Sequence, residues 1–233
     1  MAKQSEKPIV LSVGGSLVVP KDGIAIDYLR ELNKFIRSQI KNGKRFIIVI
    51  GGGYTARQYQ SAAKSIAKLM DDDADWLGIH STRLNAQLVR TIFKDIANPR
   101  ICKDPTKRMS WNEPVLVAAG WKPGWSTDYV AVRLARKYGA ERVVNLTNID
   151  AVYDKDPARY DDAVAIKRIA WKDFRKIVGD KWSPGANAPF DPIASKLGQR
   201  WGLEVIIASG HDLKNVKSII EDKKFNGTVI DGE

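Results

Sequence analysis

The chain has few of the residues that build disulfide frameworks or multi-ligand metal centres. It contains one cysteine, Cys102, and two histidines, His80 and His211, among 233 residues. A single cysteine excludes an intramolecular disulfide and a cysteine-rich zinc site, and two histidines exclude a metal centre built on several imidazoles. No apolar run approaches the ~20 residues that a membrane-spanning helix needs, so no contact with a membrane is expected.

The signature motifs of several large enzyme classes are also absent. The sequence has no GxxxxGK[ST], no GxGxxG after a predicted strand, and no GxSxG or HExxH. P-loop enzymes, dinucleotide-binding folds, serine hydrolases and zinc proteases are therefore not supported. The apolar run near the amino terminus is short and ends in glycine, unlike a cleavable signal peptide, so a cytoplasmic location is expected.

What the chain does have is positive charge. It carries 38 Lys and Arg against 27 Asp and Glu, which gives a net charge of +11. A basic balance suits anionic partners such as phosphates, nucleotides or nucleic acid. The densest cluster, formed by Arg100, Lys103, Lys107 and Arg108, can be interpreted as a solvated loop or as a patch that faces a polyanion.

The apolar pattern alternates between short strands and segments of helical periodicity. Strands are predicted at 9–13, 46–50, 115–119, 143–146, 205–208 and 228–230, and helices at 27–40, 54–69, 84–96, 128–135 and 212–221. This alternation predicts an α/β fold with a mainly parallel central sheet covered by helices on both faces. The Pro- and Gly-rich stretch 182–192 is expected to be a long loop, and any seam between two lobes is expected near residue 140.

Glycine-rich turns follow three of the predicted strands. They are Gly14-Gly15-Ser16, Gly51-Gly52-Gly53 and the segment 120–128, which contains Gly120 and Gly124. Glycines let backbone N–H groups approach an anion closely, and a following helix adds its dipole. Ser16, Ser126 and Thr127 add hydroxyl donors, and Arg57 adds a forked cationic donor. Each turn alone could be a tight strand-to-helix connection; the three together predict phosphate binding.

The segment 147–157 follows another predicted strand. Its polar side chains and its aromatic residue, Tyr153, suit a nucleoside site, although an Asx-rich turn would explain the same residues.

These motifs resemble the amino acid kinase superfamily along essentially the whole chain. More narrowly, the chain looks like the archaeal-type uridylate (UMP) kinases. The matching runs are VGGS (13–16), VIGGGYTAR (49–57), DWLGIHSTRLNAQL (75–88), PGWSTD (123–128), LTNIDAVYDKDP (146–157) and NAPFDPIASK (187–196).

The resemblance implies an amino acid kinase-like fold of two closely joined lobes. The acceptor lobe would span about 1–140 and the ATP lobe about 141–233. The implied activity is transfer of the γ-phosphate of ATP to UMP, with Mg²⁺, in pyrimidine nucleotide synthesis. ATP and UMP would be the partners, no nucleic acid is expected, and the assembly would be a homohexamer.

The resemblance also implies roles for individual residues. Those expected to bind ATP are Gly14, Gly15, Ser16, Gly53, Arg57, Thr147, Asn148, Tyr153 and Asp156. Those expected to bind UMP are Gly52, Asp75, Trp121, Lys122, Pro123, Gly124, Trp125, Ser126 and Thr127. Arg57, Lys196 and Asp128 are the candidate catalytic residues, although Asp128 could simply stabilise a helix amino terminus.

The sequence departs from the superfamily pattern in two places. Many members have a lysine in the first strand, where this chain has Val10-Leu11-Ser12-Val13; Lys196 and Lys122 are the candidates to replace its charge. Lys122 and Trp125 stand where the family often has less bulky or histidine residues. The two tryptophans, Trp121 and Trp125, could stack on the acceptor base or fill a subunit contact.

Three alternatives stay open at this point. One is another kinase with a small phosphate acceptor, such as an isopentenyl phosphate kinase, although the residues after Gly53 include no acceptor histidine. Another is a non-catalytic oxyanion-binding or storage protein on the same scaffold. The last is a basic nucleic-acid-binding regulator that uses residues 100–111.

Overall fold

The computed structural model describes residues 7–155, 157, 159–181 and 188–232. Its strands are β1 Ile9–Val13, β2 Phe46–Ile50, β3 Val115–Ala118, β4 Arg142–Thr147, β5 Val152–Tyr153, β6 Ala165–Ile166, β7 Arg168–Ala170, β8 Glu204–Ser209 and β9 Thr228–Asp231. Its helices are α1 Gly15–Val18, α2 Ile26–Lys41, α3 Gly53–Ile66, α4 Asp71–Ile92, α5 Thr127–Tyr138, α6 Trp171–Val178, α7 Pro192–Trp201 and α8 Leu213–Ile220.

Seven strands form the central sheet in the order β3-β2-β1-β4-β8-β9-β7. The five neighbouring strands β3, β2, β1, β4 and β8 pair in parallel. At one end β9 runs antiparallel to β8 and parallel to β7, while β5 and β6 make a separate antiparallel pair. The predicted mainly parallel α/β fold is confirmed, and the carboxyl ends of β1 to β4 meet at one edge of the sheet.

The core lies on both faces of the sheet, as the uninterrupted apolar strands predict. Along β2, Phe46, Ile48 and Ile50 belong to one cluster with α2, α4 and α8, whereas Ile47 and Val49 belong to a second cluster with α5, α6 and α7. The alternation follows from the two-residue repeat of a strand. Both layers of helices are therefore fixed to the same five-residue strand.

Two stretches differ from the sequence prediction. The helix predicted at 84–96 begins much earlier, at Asp71, and ends at Ile92, because three carboxylates at 71–73 favour a helix amino terminus. Helices α6 and α7 were not predicted. Asp191 caps α7, which begins at Pro192, so the loop predicted at 182–192 ends earlier than expected; residues 182–187 lie outside the described part of the chain.

Within the described residues, no helix is both long and apolar enough to cross a membrane.

Candidate functional site

The turns after β1 and β2 contact each other backbone to backbone. A Cβ atom on Gly15 would lie 2.0 Å from the Gly53 nitrogen, and one on Gly51 would lie 2.5 Å from the Gly15 nitrogen. Gly53 also has a positive φ of 64°, a conformation that favours glycine. These three glycines are therefore required by the contact between the turns, whatever ligand the turns bind.

Two further contacts fix these turns to the rest of the molecule. The side-chain amide of Asn85, on α4, donates to the carbonyl oxygens of Gly51 and Gly52, each at 3.0 Å. The backbone N–H of Gly14 donates to the Leu146 carbonyl oxygen on β4 at 2.8 Å. Asn85 lies within the quoted DWLGIHSTRLNAQL run but was not singled out, because a buried amide on a helix gives no distinctive sequence signal.

A cavity of about 340 Å³ opens where the turns after β1 to β4 meet. The predicted site residues that line it are Gly14, Gly15, Ser16, Gly52, Gly53, Arg57, Asp75, Trp125, Ser126, Thr127, Asp128 and Thr147. Lining residues that the sequence did not single out include Ser12, Gln60, Thr82 and Asn145. Glycine turns and hydroxyl groups from both halves of the chain therefore face one space.

Arg57 supplies the positive charge of this cavity. Among the described residues that line it, Arg57 is the one with a cationic side chain. Its Nη2 atom donates to the Ser16 hydroxyl at 3.3 Å, so the first turn of α3 is tied to the turn after β1. The guanidinium also lies 5.7 Å from the centre of the Tyr54 ring.

Helix α4 holds the third glycine turn through three side chains. The Asp75 carboxylate accepts a hydrogen bond from the Gly124 N–H at 2.7 Å. The Thr82 hydroxyl accepts from the Gly120 N–H at 2.8 Å, and the Arg83 guanidinium donates to the Trp121 carbonyl oxygen at 2.8 Å. Burial raises the pKa of Asp75 and the Gly124 N–H opposes that shift. Asp75 therefore positions the turn 120–124 as well as lining the cavity.

The aromatic residues of this turn form a cluster beside the cavity. Trp125 lines the cavity and packs on Tyr129 with 4.1 Å between the ring centres. Trp121 lies 6.0 Å from Trp125, and the Lys122 ammonium lies 4.4 Å from the centre of the Trp121 ring. Only Trp125 of these three residues lines the cavity, so this arrangement keeps Lys122 away from it.

Two neighbouring carboxylates lie at this end of the sheet, of which Asp128 lines the cavity and Asp191 does not. Asp128 accepts hydrogen bonds from the Ser12 hydroxyl at 3.0 Å and from the Asp191 N–H at 3.2 Å. Although part of its surface faces the cavity, the group lies deep in the protein, and burial, with the nearby charge of Asp191, raises its pKa to about 7.

Asp191 itself is 7% exposed. One of its oxygens accepts from the Ala194 N–H as the cap of α7. The other, Oδ2, is buried without an aligned hydrogen bond, and burial raises the pKa of the group in spite of its amide and hydroxyl neighbours. The pair therefore includes one buried carboxylate oxygen without an aligned hydrogen bond, although the Ser126 hydroxyl is a neighbouring donor.

Five other predicted site residues do not line the cavity, and one of them, Gly124, lies in the turn that Asp75 holds. The Lys196 ammonium lies 3.2 Å from an Asp180 oxygen on the exposed side of α7, so this arrangement does not support its expected catalytic role. Tyr153 donates its hydroxyl proton to Asp150 at 2.9 Å. The remaining two, Asn148 and Pro123, are absent from the lining residues, and Asp156 lies outside the described residues.

The sequence profile of the amino acid kinase family matches residues 7–209 of this chain. A uridylate kinase of Methanococcus aeolicus is 33% identical over 226 residues, which are 95% of this chain and 98% of that protein. A uridylate kinase of Hyperthermus butylicus is 33% identical over 97% of this chain and 98% of its own length.

Solved structures agree with this similarity. The uridylate kinase of Archaeoglobus fulgidus superposes with a TM-score of 0.80 at 30% identity, covering 96% of this chain and 99% of its own. An aspartate kinase of Synechocystis shares the fold alone, with a TM-score of 0.70 at 16% identity over 97% of this chain and 40% of its own. The glycine turns, the sheet order and the matched length all lead to one conclusion: the chain belongs to the amino acid kinase family.

Proposed function

We propose that this chain is a uridylate kinase that transfers the γ-phosphoryl group of ATP to UMP and releases UDP and ADP. The observation that carries the proposal is the meeting of several strand-end turns, from both halves of the chain, at one cavity. Its support is the similarity to uridylate kinases over nearly the whole length of both proteins. The volume of about 340 Å³ suits the facing phosphates of two nucleotides whose bases lie further out.

The two nucleotides approach from opposite sides in this proposal. ATP phosphates lie on Gly14, Gly15 and Ser16, and the remainder of ATP lies towards Thr147 and the following residues. The UMP phosphate lies between Gly52 and the amino terminus of α5, which Ser126 caps by accepting from the Tyr129 N–H. The division of the chain into an acceptor lobe and an ATP lobe near residue 140 belongs to the same proposal.

No general base is needed for this reaction. A UMP phosphate oxygen is already ionised at neutral pH, so catalysis depends on positioning and on neutralising the charge that moves in transfer. Arg57 and the N–H groups at the start of α3 point donors at the place where the phosphates meet. This agrees with a cavity whose described lining residues contain no histidine.

The donor set of the cavity fits Mg²⁺, the cation expected to accompany ATP. Mg²⁺ prefers a few carboxylate oxygens together with phosphate oxygens. Asp128 presents such oxygens to the cavity, and the neighbouring Asp191, which does not line it, has one oxygen without an aligned hydrogen bond. Asp128 would hold the ion, directly or through water, and the Asp191 N–H would position the Asp128 carboxylate. The ion would supply positive charge to the phosphates during transfer. Among the described residues, no group of three or more His, Cys, Asp or Glu side chains could hold a metal ion, so a protein-only metal cage is not part of this proposal.

The experiment that tests the activity is an acceptor panel. Purified full-length protein is given ATP with Mg²⁺ and one of UMP, CMP, dTMP or isopentenyl phosphate, and ADP release is measured. We expect strong preference for UMP. Comparable rates on all acceptors, or turnover of isopentenyl phosphate alone, would contradict the proposal, and phosphate binding without any turnover would favour a storage protein.

We further propose that the protein acts in pyrimidine nucleotide synthesis in the cytoplasm and assembles from copies of itself. Although the structure describes all of α3, none of its residues is buried. Tyr59, Ile66, Met70 and Leu84, on α3, α4 and their connection, are each more than half exposed. Apolar exposure of this kind marks an interaction surface, and an identical copy is the occupant we propose.

A further inference from the structure

A second cavity opens at the opposite edge of the sheet, where the strands begin. Its volume is about 650 Å³. Its walls come from Lys7 before β1, Arg45 before β2, the loop 108–111 before β3 and the last turn of α5. A five-residue strand spans about 17 Å. The length of the strands therefore separates this cavity from the glycine turns at their carboxyl ends.

The cavity wall is strongly basic. Lys7, Arg45, Arg108 and Lys137 line it, and no described lining residue is acidic. Glu141, outside the lining, pairs with Lys7 at 3.0 Å. Asp104, also outside it, accepts from the Thr106 hydroxyl and is 4.0 Å from Lys107. Glu113, a third carboxylate outside the lining, accepts from the Asn98 side-chain amide and lies within the electrostatic reach of Arg45. Four basic side chains outnumber these three carboxylates, so the net charge around the cavity is positive.

The position of the Lys137 ammonium is not that of an ordinary surface lysine. A lysine in the last turn of a helix usually stabilises the exposed carbonyl groups there. The Lys137 ammonium is instead covered and makes no hydrogen bond. Burial lowers the pKa of Lys137, and the charges of Arg133 and Arg108 lower it further. Cys102 and Asp104 oppose this shift by raising the pKa. A covered ammonium without a partner is costly unless an anion approaches it.

Two aromatic residues, Tyr138 and Trp111, help to hold the wall of the cavity in place. The Tyr138 hydroxyl donates to the Met109 carbonyl oxygen at 2.8 Å and accepts from the Met109 N–H at 3.0 Å. Arg45 donates to the carbonyl oxygens of Trp111 and Glu113, and its guanidinium lies 4.2 Å from the centre of the Trp111 ring. The loop is thus tied to α5 and to β2, which fixes the spacing of the basic groups before any ligand binds.

We propose that this cavity binds a compact phosphate polyanion, the chemistry of a di- or triphosphate chain. Four basic groups around one preformed space match several phosphate charges better than a single carboxylate. The volume also lies within the range of small-molecule sites. The inference does not rest on the proposed kinase activity, because it concerns a separate edge of the sheet.

The test follows binding at Trp111 directly. Full-length protein labelled with ¹⁵N-tryptophan is titrated with sodium tripolyphosphate, without Mg²⁺, and the indole N–H peaks are followed by NMR after Trp111→Phe has identified the Trp111 peak. We expect that peak to shift saturably. Arg108→Gln and Lys137→Gln should each raise the dissociation constant for tripolyphosphate at least ten-fold. Arg57→Ala should change it less than two-fold.

Controls separate this site from general charge and from the first cavity. Lys214→Gln removes an exposed charge on α8 and should leave the Trp111 titration unchanged. Lys137→Gln removes an unpaired covered charge, so its melting temperature should equal or exceed that of the wild type. Repeating the titration with UTP and with orthophosphate shows whether the cavity binds a nucleotide or a bare phosphate more tightly.

Two results would overturn the proposal. One is a titration that moves only the Trp121 and Trp125 peaks, since that would place all phosphate binding at the first cavity. The other is an equal loss of affinity in Lys214→Gln and Lys137→Gln, because the net charge of the protein would then explain the binding without a specific site.

Discussion

At the scale of single residues, Arg57 carries more of the proposed chemistry than any other side chain. It is the cationic side chain among the described residues that line the first cavity, and it is already tied to Ser16. The loss of one donor that stabilises a transition state costs about 10²-fold in rate. Its effect is therefore a direct test of where phosphoryl transfer takes place.

We expect Arg57→Ala to lower kcat/KM for UMP phosphorylation by about 10²-fold or more. The reason is that no other described lining side chain can replace the lost charge. Steady-state ADP release measures the effect, and Arg136→Ala, which removes an exposed arginine from α5, is the matched control. A loss below three-fold in Arg57→Ala would return the residue to a solvated surface role.

Asp128 makes a prediction about pH. Its pKa is raised from the ordinary 3.8 to about 7, so the folded protein holds the proton more tightly than the unfolded chain. The contribution of this group to the free energy of unfolding therefore falls as pH rises from about 4 to about 7, and is constant above that range. We expect the melting temperature of Asp128→Asn to match the wild type near pH 4 and to exceed it increasingly up to pH 7.

The same variant tests the divalent site without measuring activity. Added Mg²⁺ should raise the melting temperature of the wild type above pH 7 and leave that of Asp128→Asn unchanged, because a ligand stabilises only the state that binds it. Asp73→Asn, an exposed change at the start of α4, should respond like the wild type. An identical Mg²⁺ response in all three proteins would exclude Asp128 as a ligand.

At the scale of elements, α4 determines the shape of the side of the cavity that we propose to bind the acceptor. It holds the turn after β2 through Asn85 and the turn after β3 through Asp75, Thr82 and Arg83. One helix thus sets the distance between the two turns that we propose to bind phosphate. Looser anchoring should impair acceptor binding before it impairs the chemical step.

We expect Asp75→Ala to raise KM for UMP about ten-fold while kcat falls less, since the turn 120–124 loses one anchor and Arg57 stays in place. Initial rates over a range of UMP concentrations separate the two constants. Asp72→Ala removes a neighbouring exposed carboxylate and should change neither constant. A fall in kcat with KM unchanged would contradict the positioning role.

At the scale of the whole molecule, the exposed face of α3 is the feature a lone chain leaves unexplained. Ile66 is 86% exposed and Leu84 is 64% exposed. We expect Ile66→Glu to reduce the assembled mass measured by light scattering after size-exclusion chromatography, because a buried glutamate would oppose association. Ile177→Glu, on α6, changes another exposed isoleucine and should keep the wild-type mass; loss of assembly in both, or in neither, would contradict this face as the contact.

The fold was largely predictable because its strands are short, apolar and separated by glycine turns. The β1 and β2 boundaries match the apolar runs residue for residue. The start of α4 was missed because its first turn lacks the apolar period that marks a helix, although the three carboxylates at 71–73 are themselves a signal of a helix amino terminus. Helix α6 and strand β7 are short, and their placement depends on Trp171 and Ile169 packing against the second core cluster.

The sequence by itself determined the α/β class, the parallel sheet and the turns that face the cavity, because local periodicity and glycine placement encode them. The tertiary structure decided which of these residues meet. Only packing directs Lys196 to Asp180 and buries Asp128 beside Asp191. The basic cavity at the far edge likewise unites Lys7, Arg108 and Lys137, residues so distant in the chain that no local pattern relates them.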